Sequence, residues 1–228
     1  MKTTLVIGAS SGIGTALCND LLSRNENVIS ISRSNPELPA SNFFIHDILS
    51  DAEMPKIEGA IDGLVYCPGS INLKPFRSLK RQDFLNDLEI NVLGAIKCIQ
   101  TYTANLQLSD KASIVLFSTV AVQTGMPYHS SIAVSKGAIE GLTKALAAEF
   151  APKIRVNCIA PSLTGTAMAE KLINTPEKLE ASNLRHPLKR IGSANDIANA
   201  VEFLLSDKAS WMSGQIIHVD GGMGTLKV

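Results

Sequence analysis

The apolar run Thr4–Ile7 ends directly on Gly8-Ala9-Ser10-Ser11-Gly12-Ile13-Gly14, and a segment of helical period opens inside that glycine run. A strand, a glycine turn and a helix in immediate succession constrain the fold more than any other feature of the sequence. Glycines at these places permit a tight turn and close approach of backbone to a ligand, while unpaired N–H groups at the helix start attract a diphosphate. A chance glycine-rich turn is the competing reading, and the flanking strand and helix argue against it. The spacing is Gly-x-x-x-Gly-x-Gly, not the commoner Gly-x-Gly-x-x-Gly.

The same alternation continues along the chain. Short β-branched runs fall at Val28–Ser32, Phe43–His46, Gly63–Cys67, Ser113–Phe117, Arg155–Ile159 and Gln215–Val219. Between them lie helical patterns at about 13–24, 78–108, 131–151 and 194–206, the last opened by a Ser193-x-x-Asp196 capping box. Continuous apolar strands separated by helices predict a parallel sheet covered on both faces. Two connections are short: 33–43, with Pro36 and Pro39, lacks room for a full crossover helix, and 48–60 holds a turn or two. The polar stretch 162–192 is long enough to form a lid over a site. With no repeat and no linker, the 228 residues are expected to form one domain.

Composition narrows the partners. Lys+Arg and Asp+Glu both number 21, so no net charge invites nucleic acid or an anionic membrane. Leu5-Val6-Ile7 is shorter than the ~7 apolar residues of a signal peptide, and no run approaches the ~18 of a membrane span. The four cysteines, at 18, 67, 98 and 158, form no CxxC pair and no grouping with histidine. They read as reduced, buried thiols of a cytoplasmic protein without a metal site.

Over nearly its whole length the sequence resembles the short-chain dehydrogenase/reductase family, especially members similar to 3-oxoacyl-carrier-protein reductases. The residues that carry the resemblance are the glycine loop, Asp47, Asn91-Val92-Leu93-Gly94 and Ser135-Lys136-Gly137-Ala138. Arg155-Val156-Asn157-x-x-x-Pro161, Gly214-Gln215 and Val219-Asp220-Gly221-Gly222 follow in family order. The resemblance implies a single-domain, doubly wound Rossmann fold of about seven strands, a nicotinamide cofactor and a small-molecule substrate. It also implies a homodimer or homotetramer, with 78–108 and 131–151 meeting their symmetry mates and the last strand forming a further contact.

The second strand ends Ile31-Ser32-Arg33-Ser34, with no acid to hold a ribose diol. Ser32 followed by Arg33 suits a phosphate dianion and predicts NADP(H), against the reading of an ordinary loop arginine. By resemblance, Asp47 with Ile48 contacts the adenine edge, although Asp47 also reads as a plain cap. Gly8, Ser10, Ser11, Gly12, Ile13 and Gly14 are expected to hold the diphosphate, Lys136 the nicotinamide ribose, and Pro161 and Thr166 the carboxamide end.

The family's chemistry uses a tyrosine as proton donor, a lysine four residues later, an earlier hydroxyl and an asparagine on the neighbouring helix. Lys136, Asn91 and Thr119 (beside Ser118) match, but the tyrosine position is Ile132, which has no exchangeable proton. Tyr128 is a candidate replacement from the preceding loop; His129 is another, while Ser130 and Ser131 are weak acids. After the fourth strand the family's Asn-Asn-Ala-Gly reads Tyr66-Cys67-Pro68-Gly69, keeping only Gly69 and placing Tyr66 near the cofactor edge. Cys67 reads as packing rather than as a nucleophile. After Pro161 the usual glycine is Ser162. Three functions follow: a reductase acting on a carbonyl or secondary alcohol, slow or with a displaced donor; a non-catalytic dinucleotide sensor or regulatory partner; or a lyase or isomerase step needing no phenol.

Overall fold

The apolar runs become the strands of one parallel sheet. A computed structural model describes residues 1–35, 38 and 42–227, so Pro36 and Pro39 of the short connection lie outside the described residues. The strands are β1 (Thr3–Ile7), β2 (Asn27–Ser32), β3 (Asn42–Ile45), β4 (Gly63–Tyr66), β5 (Ala112–Phe117) and β6 (Ile154–Pro161). β7 (Thr164–Gly165) and β8 (Gly192–Ser193) pair only with each other, and β9 (Ile216–Val219) completes the main sheet. The order is β3-β2-β1-β4-β5-β6-β9, with every ladder parallel. Strand order reverses between β1 and β4, which opens a crevice at their C-terminal ends.

The helices are α1 (Gly12–Ser23), α2 (Arg81–Leu88), α3 (Gly94–Gln107), α4 (Ala121–Thr124), α5 (Ser130–Phe150), α6 (Glu170–Ile173), α7 (Pro176–Arg185) and α8 (Ala194–Leu205). Strand side chains alternate between two cores, as a period of two requires. Leu5, Ile7, Leu64 and Leu116 pack with Tyr102 of α3 and Ile139 of α5. Val6, Val65 and Val115 pack on the other side with Leu17 of α1 and Val201 of α8. Ser193 and Asp196 form the reciprocal cap that the sequence predicts for α8.

The single helix expected over 78–108 is instead divided. A 3-10 turn (Phe76–Ser78) precedes α2, and a π-turn (Glu89–Leu93) joins α2 to α3. Tyr66 accounts for the π-turn: its hydroxyl donates to the Ile90 carbonyl at 2.5 Å. A Cβ on Gly94 would lie 2.3 Å from that hydroxyl, so only glycine fits there. Tyr66 is thus a core residue turned toward α3, not bulk at the cofactor edge as the sequence suggested. No helix forms in the described parts of 33–41 or in 46–62, leaving Phe43 and Ile45 of edge strand β3 exposed.

Candidate active site

Above the β1/β4 crevice lies a cavity of about 460 Å3, within the range typical of ligand sites. Its floor is the glycine turn. Gly8 and Gly12 have φ of +84° and +56°, a region costly for other residues. A Cβ on Gly14 would stand 2.2 Å from the Gly8 carbonyl oxygen. Ser11 caps α1 without a side-chain hydrogen bond, so the first N–H groups of a 12-residue helix face the cavity without a side-chain cap. The turn is pinned from outside: Gly8 N–H donates to Ile31 O at 2.7 Å and Thr15 Oγ1 to Ala9 O at 2.7 Å.

Every residue expected to hold the cofactor lines this cavity, whereas Asn91 of the expected catalytic set does not. Arg33 is exposed on the rim and joins no ion pair among the described residues. Ser32 is buried, its hydroxyl given to the Ser34 carbonyl at 2.7 Å. Asp47 lines the wall and also closes a turn, accepting from Leu49 N at 3.0 Å. Its neighbour His46, unremarked in the sequence, has a buried Nε2 with no hydrogen-bond partner among the described residues.

At the other end, α5 carries Ile132 and Lys136 on one face, and both line the cavity. Lys136 is buried and donates to the Phe117 carbonyl at 3.0 Å. Burial pushes its pKa down to about 8, although the Cys158, Cys67 and Asp87 side chains oppose the shift. Ile132, 5% exposed, offers no proton beside it.

Asn91 sits on the π-turn behind Gly69. Its Nδ2 donates to Ser70 Oγ at 2.9 Å and to Asp87 O at 2.8 Å, while its buried Oδ1 has no partner among the described residues. A Cβ on Gly69 would lie 3.2 Å from that Oδ1 and 3.6 Å from Lys136 Nζ, so both groups converge on one α-carbon. Asp87 organises this corner, accepting from Ser70 Oγ at 2.6 Å and from Ser131 Oγ. The i, i+4 spacing of Asp87 and Asn91 is the sequence signal that marks it.

Thr119 faces the cavity and accepts from Ala121 N at 3.3 Å, whereas the Ser118 hydroxyl is committed to Glu140 at 2.6 Å. Tyr128 does not line the cavity: it is 59% exposed, at φ +69°. The expectation that its phenol replaces the missing tyrosine therefore fails on position. His129 does line the cavity, its Nδ1 2.7 Å from Pro127 O. Segment 163–185 closes over the site through Thr166, Met168 and Leu172. All four cysteines are free, and burial pushes the Cys18, Cys98 and Cys158 thiols up to about 12 and Cys67 higher still, which suits packing. No cluster of three or more possible metal ligands occurs among the described residues.

A parallel sheet with a glycine turn at its switch point and a buried lysine across the crevice defines the class of Rossmann-type dinucleotide oxidoreductases. Comparison narrows the class. Residues 47–224 match the family described as enoyl-(acyl carrier protein) reductase. The chain is 32% identical to a 3-oxoacyl-[acyl-carrier-protein] reductase of Staphylococcus aureus, covering 97% of this chain and 98% of that one. It is 30% identical to L-xylulose reductase of Bos taurus, over 97% and 96% of the two chains. Aldohexose dehydrogenase of Thermoplasma acidophilum superposes with a TM-score of 0.91 at 26% identity, over 99% and 95% of the chains. ElxO, in a structure with NADP bound, gives 0.86 at 25%, over 99% of both. The chain belongs to the short-chain dehydrogenase/reductase family, whose members bind a nicotinamide dinucleotide.

Proposed function

We propose that this chain is an NADP(H)-dependent reductase of a carbonyl compound, or in reverse a dehydrogenase of a secondary alcohol. The observation that carries the reading is the single cavity running from Arg33, past the glycine turn, to Lys136. The glycine turn that lets a ligand approach the backbone, and the His46 Nε2 without a partner among the described residues, are what a bound dinucleotide would use. Arg33, on the rim and in no ion pair among the described residues, suits a 2′-phosphate, and ElxO binds NADP on the same fold. When bound, the reduced cofactor supplies the hydride. Gly8 to Gly14 hold the diphosphate, Lys136 the ribose, and Thr119 orients the substrate oxygen. Ile132 favours a second reading, a binding protein without turnover. Exposed Leu93 and Val134 on the outer faces of the π-turn and α5 support pairing with a second copy in a cytoplasmic homodimer or homotetramer. Titration with NADPH and NADH, then NADPH oxidation over a carbonyl panel, tests the proposal. Tighter NADH binding overturns the cofactor choice, and binding without turnover leaves the second reading.

A further inference from the structure

Ser162 in the cavity wall and the buried His186 behind it form a hydrogen-bonded pair that the reading above leaves unused. Ser162 follows β6 directly and lines the cavity; His186 follows α7 and is 1% exposed. Ser162 Oγ stands 2.9 Å from His186 Nε2, and His186 Nδ1 stands 2.7 Å from the Ser182 carbonyl. A carbonyl only accepts, so Nδ1 carries a proton and Nε2 of the neutral ring accepts from Ser162. Pro161 O accepts from Val120 N at 3.1 Å, which sets Ser162 beside Thr119 at the ends of adjacent strands, themselves about 4.8 Å apart. Both hydroxyl residues thus border the end of the cavity that holds Lys136.

We propose that Ser162 donates the proton to the substrate oxygen, with His186 behind it as the proton reservoir. The proposal rests on the reductase reading. In the neutral pair the serine O–H points at Nε2 and has nothing to give the cavity. Once the ring is an imidazolium, Nε2–H donates to Ser162 Oγ and the serine proton is free to turn toward substrate. Hydride addition to a carbonyl carbon leaves an alkoxide that needs one proton. Ser162 Oγ gives its proton to that oxygen and takes the Nε2 proton in the same step. The products are an alcohol, an intact serine and a neutral imidazole, which solvent reprotonates through Ser162 after product leaves.

The charged groups around the ring leave the pair intact. Arg185 precedes it and lines the cavity, and Lys189 touches it only through the backbone, N–H to His186 O at 2.9 Å. A Cβ on Gly221 would stand 3.7 Å from the ring Cδ2, so the turn after β9 that carries Asp220 borders the ring. The Asp220 carboxylate is already taken by the Gly222 and Gly224 amides at 2.8 Å each.

The test uses Ser162→Ala and His186→Gln, with His129→Gln as the control for an imidazole that lines the cavity. Glutamine keeps a hydrogen-bond partner for Ser162 but no titrating proton. NADPH oxidation is followed from about pH 5 to about pH 8, where imidazoles titrate, alongside NADPH affinity and imidazole 15N NMR of the apoprotein. Ser162→Ala and His186→Gln should each lower kcat about 10²-fold with unchanged NADPH affinity. Wild-type kcat should fall as pH rises across this range, and His186→Gln should lack that limb. Neutral His186 should carry its proton on Nδ1. Wild-type kcat and pH profile in both variants, a neutral ring protonated on Nε2, or loss confined to His129→Gln overturns the relay and leaves the reductase. A wild type inert on every carbonyl overturns both.

Discussion

Ile132 stands one helical turn ahead of Lys136 on the cavity wall, so the buried ammonium faces an alkyl group and donates to the Phe117 carbonyl at 3.0 Å. A phenol at that position would have the ammonium as a neighbour, which favours the phenolate and lowers its pKa. Ile132 opens onto the cavity, so Ile132→Tyr has room for the larger ring. The expected outcome is a rise in kcat of about 10-fold to 10²-fold, the lower part of what a positioned acid supplies. Tyr128→Phe, outside the cavity, should leave kcat unchanged. Steady-state NADPH oxidation by the two variants checks both, and no rise in the first would show that proton delivery is not limiting.

Lys136 makes stability depend on pH in a defined direction. Its folded pKa, pushed by burial from 10.5 to about 8, lies below its unfolded value. Between those two pH values the unfolded chain binds the extra proton, so stability rises with pH across the window and the full penalty applies below it. The shift corresponds to about 3 kcal/mol. Lys136→Met removes the titration, and the stability difference between wild type and variant should change by about that amount between pH 7 and pH 11. Urea unfolding at both pH values measures it, and a constant difference would contradict the burial argument.

How far the sequence discloses this molecule depends on the range of the interactions. Strand positions and the glycine turn follow from apolar runs and local backbone geometry, so Thr3–Ile7, Asn27–Ser32 and Gly12–Ser23 appear within a residue or two of expectation. The break at Glu89–Leu93 does not, because it arises from a contact between Tyr66 and Ile90 that a helical period cannot register. Tyr128 and His129 are adjacent in the chain, yet a positive φ turns one outward and leaves the other on the cavity wall. Ser162 with His186, and Asn91 with Ser70, are long-range pairs held together only by the finished fold.

Gly14 marks the tightest point of the site. A Cβ there would stand 2.2 Å from the Gly8 carbonyl oxygen, a backbone atom that cannot rotate aside. Gly14→Ala must open the turn, so a loss of about 1–3 kcal/mol of stability is expected, as for other overpacked positions. Dinucleotide affinity should fall in parallel because the turn and the α1 amides move together. Gly59→Ala is the control: its Cβ would meet nothing within 4 Å, but its φ of +84° carries backbone strain away from the cavity. Thermal unfolding and NADPH titration of both variants separate loss of the turn from general strain.

Arg33 tests the cofactor choice without touching the chemistry. It lies on the rim, outside every ion pair among the described residues, so Arg33→Ala removes a charge and strands no partner among them. Hydrogen bonds to a charged group contribute about 1.5–3 kcal/mol, which corresponds to a loss of about 10-fold to 150-fold in NADPH affinity. NADH, lacking the 2′-phosphate, should bind the variant as it binds wild type. Salt should narrow the gap, since the contact is exposed and screened within about 10 Å at 0.1 M ionic strength. Fluorescence titration with both cofactors at two salt concentrations reads all three effects. An equal loss for NADH would place Arg33 on the diphosphate instead.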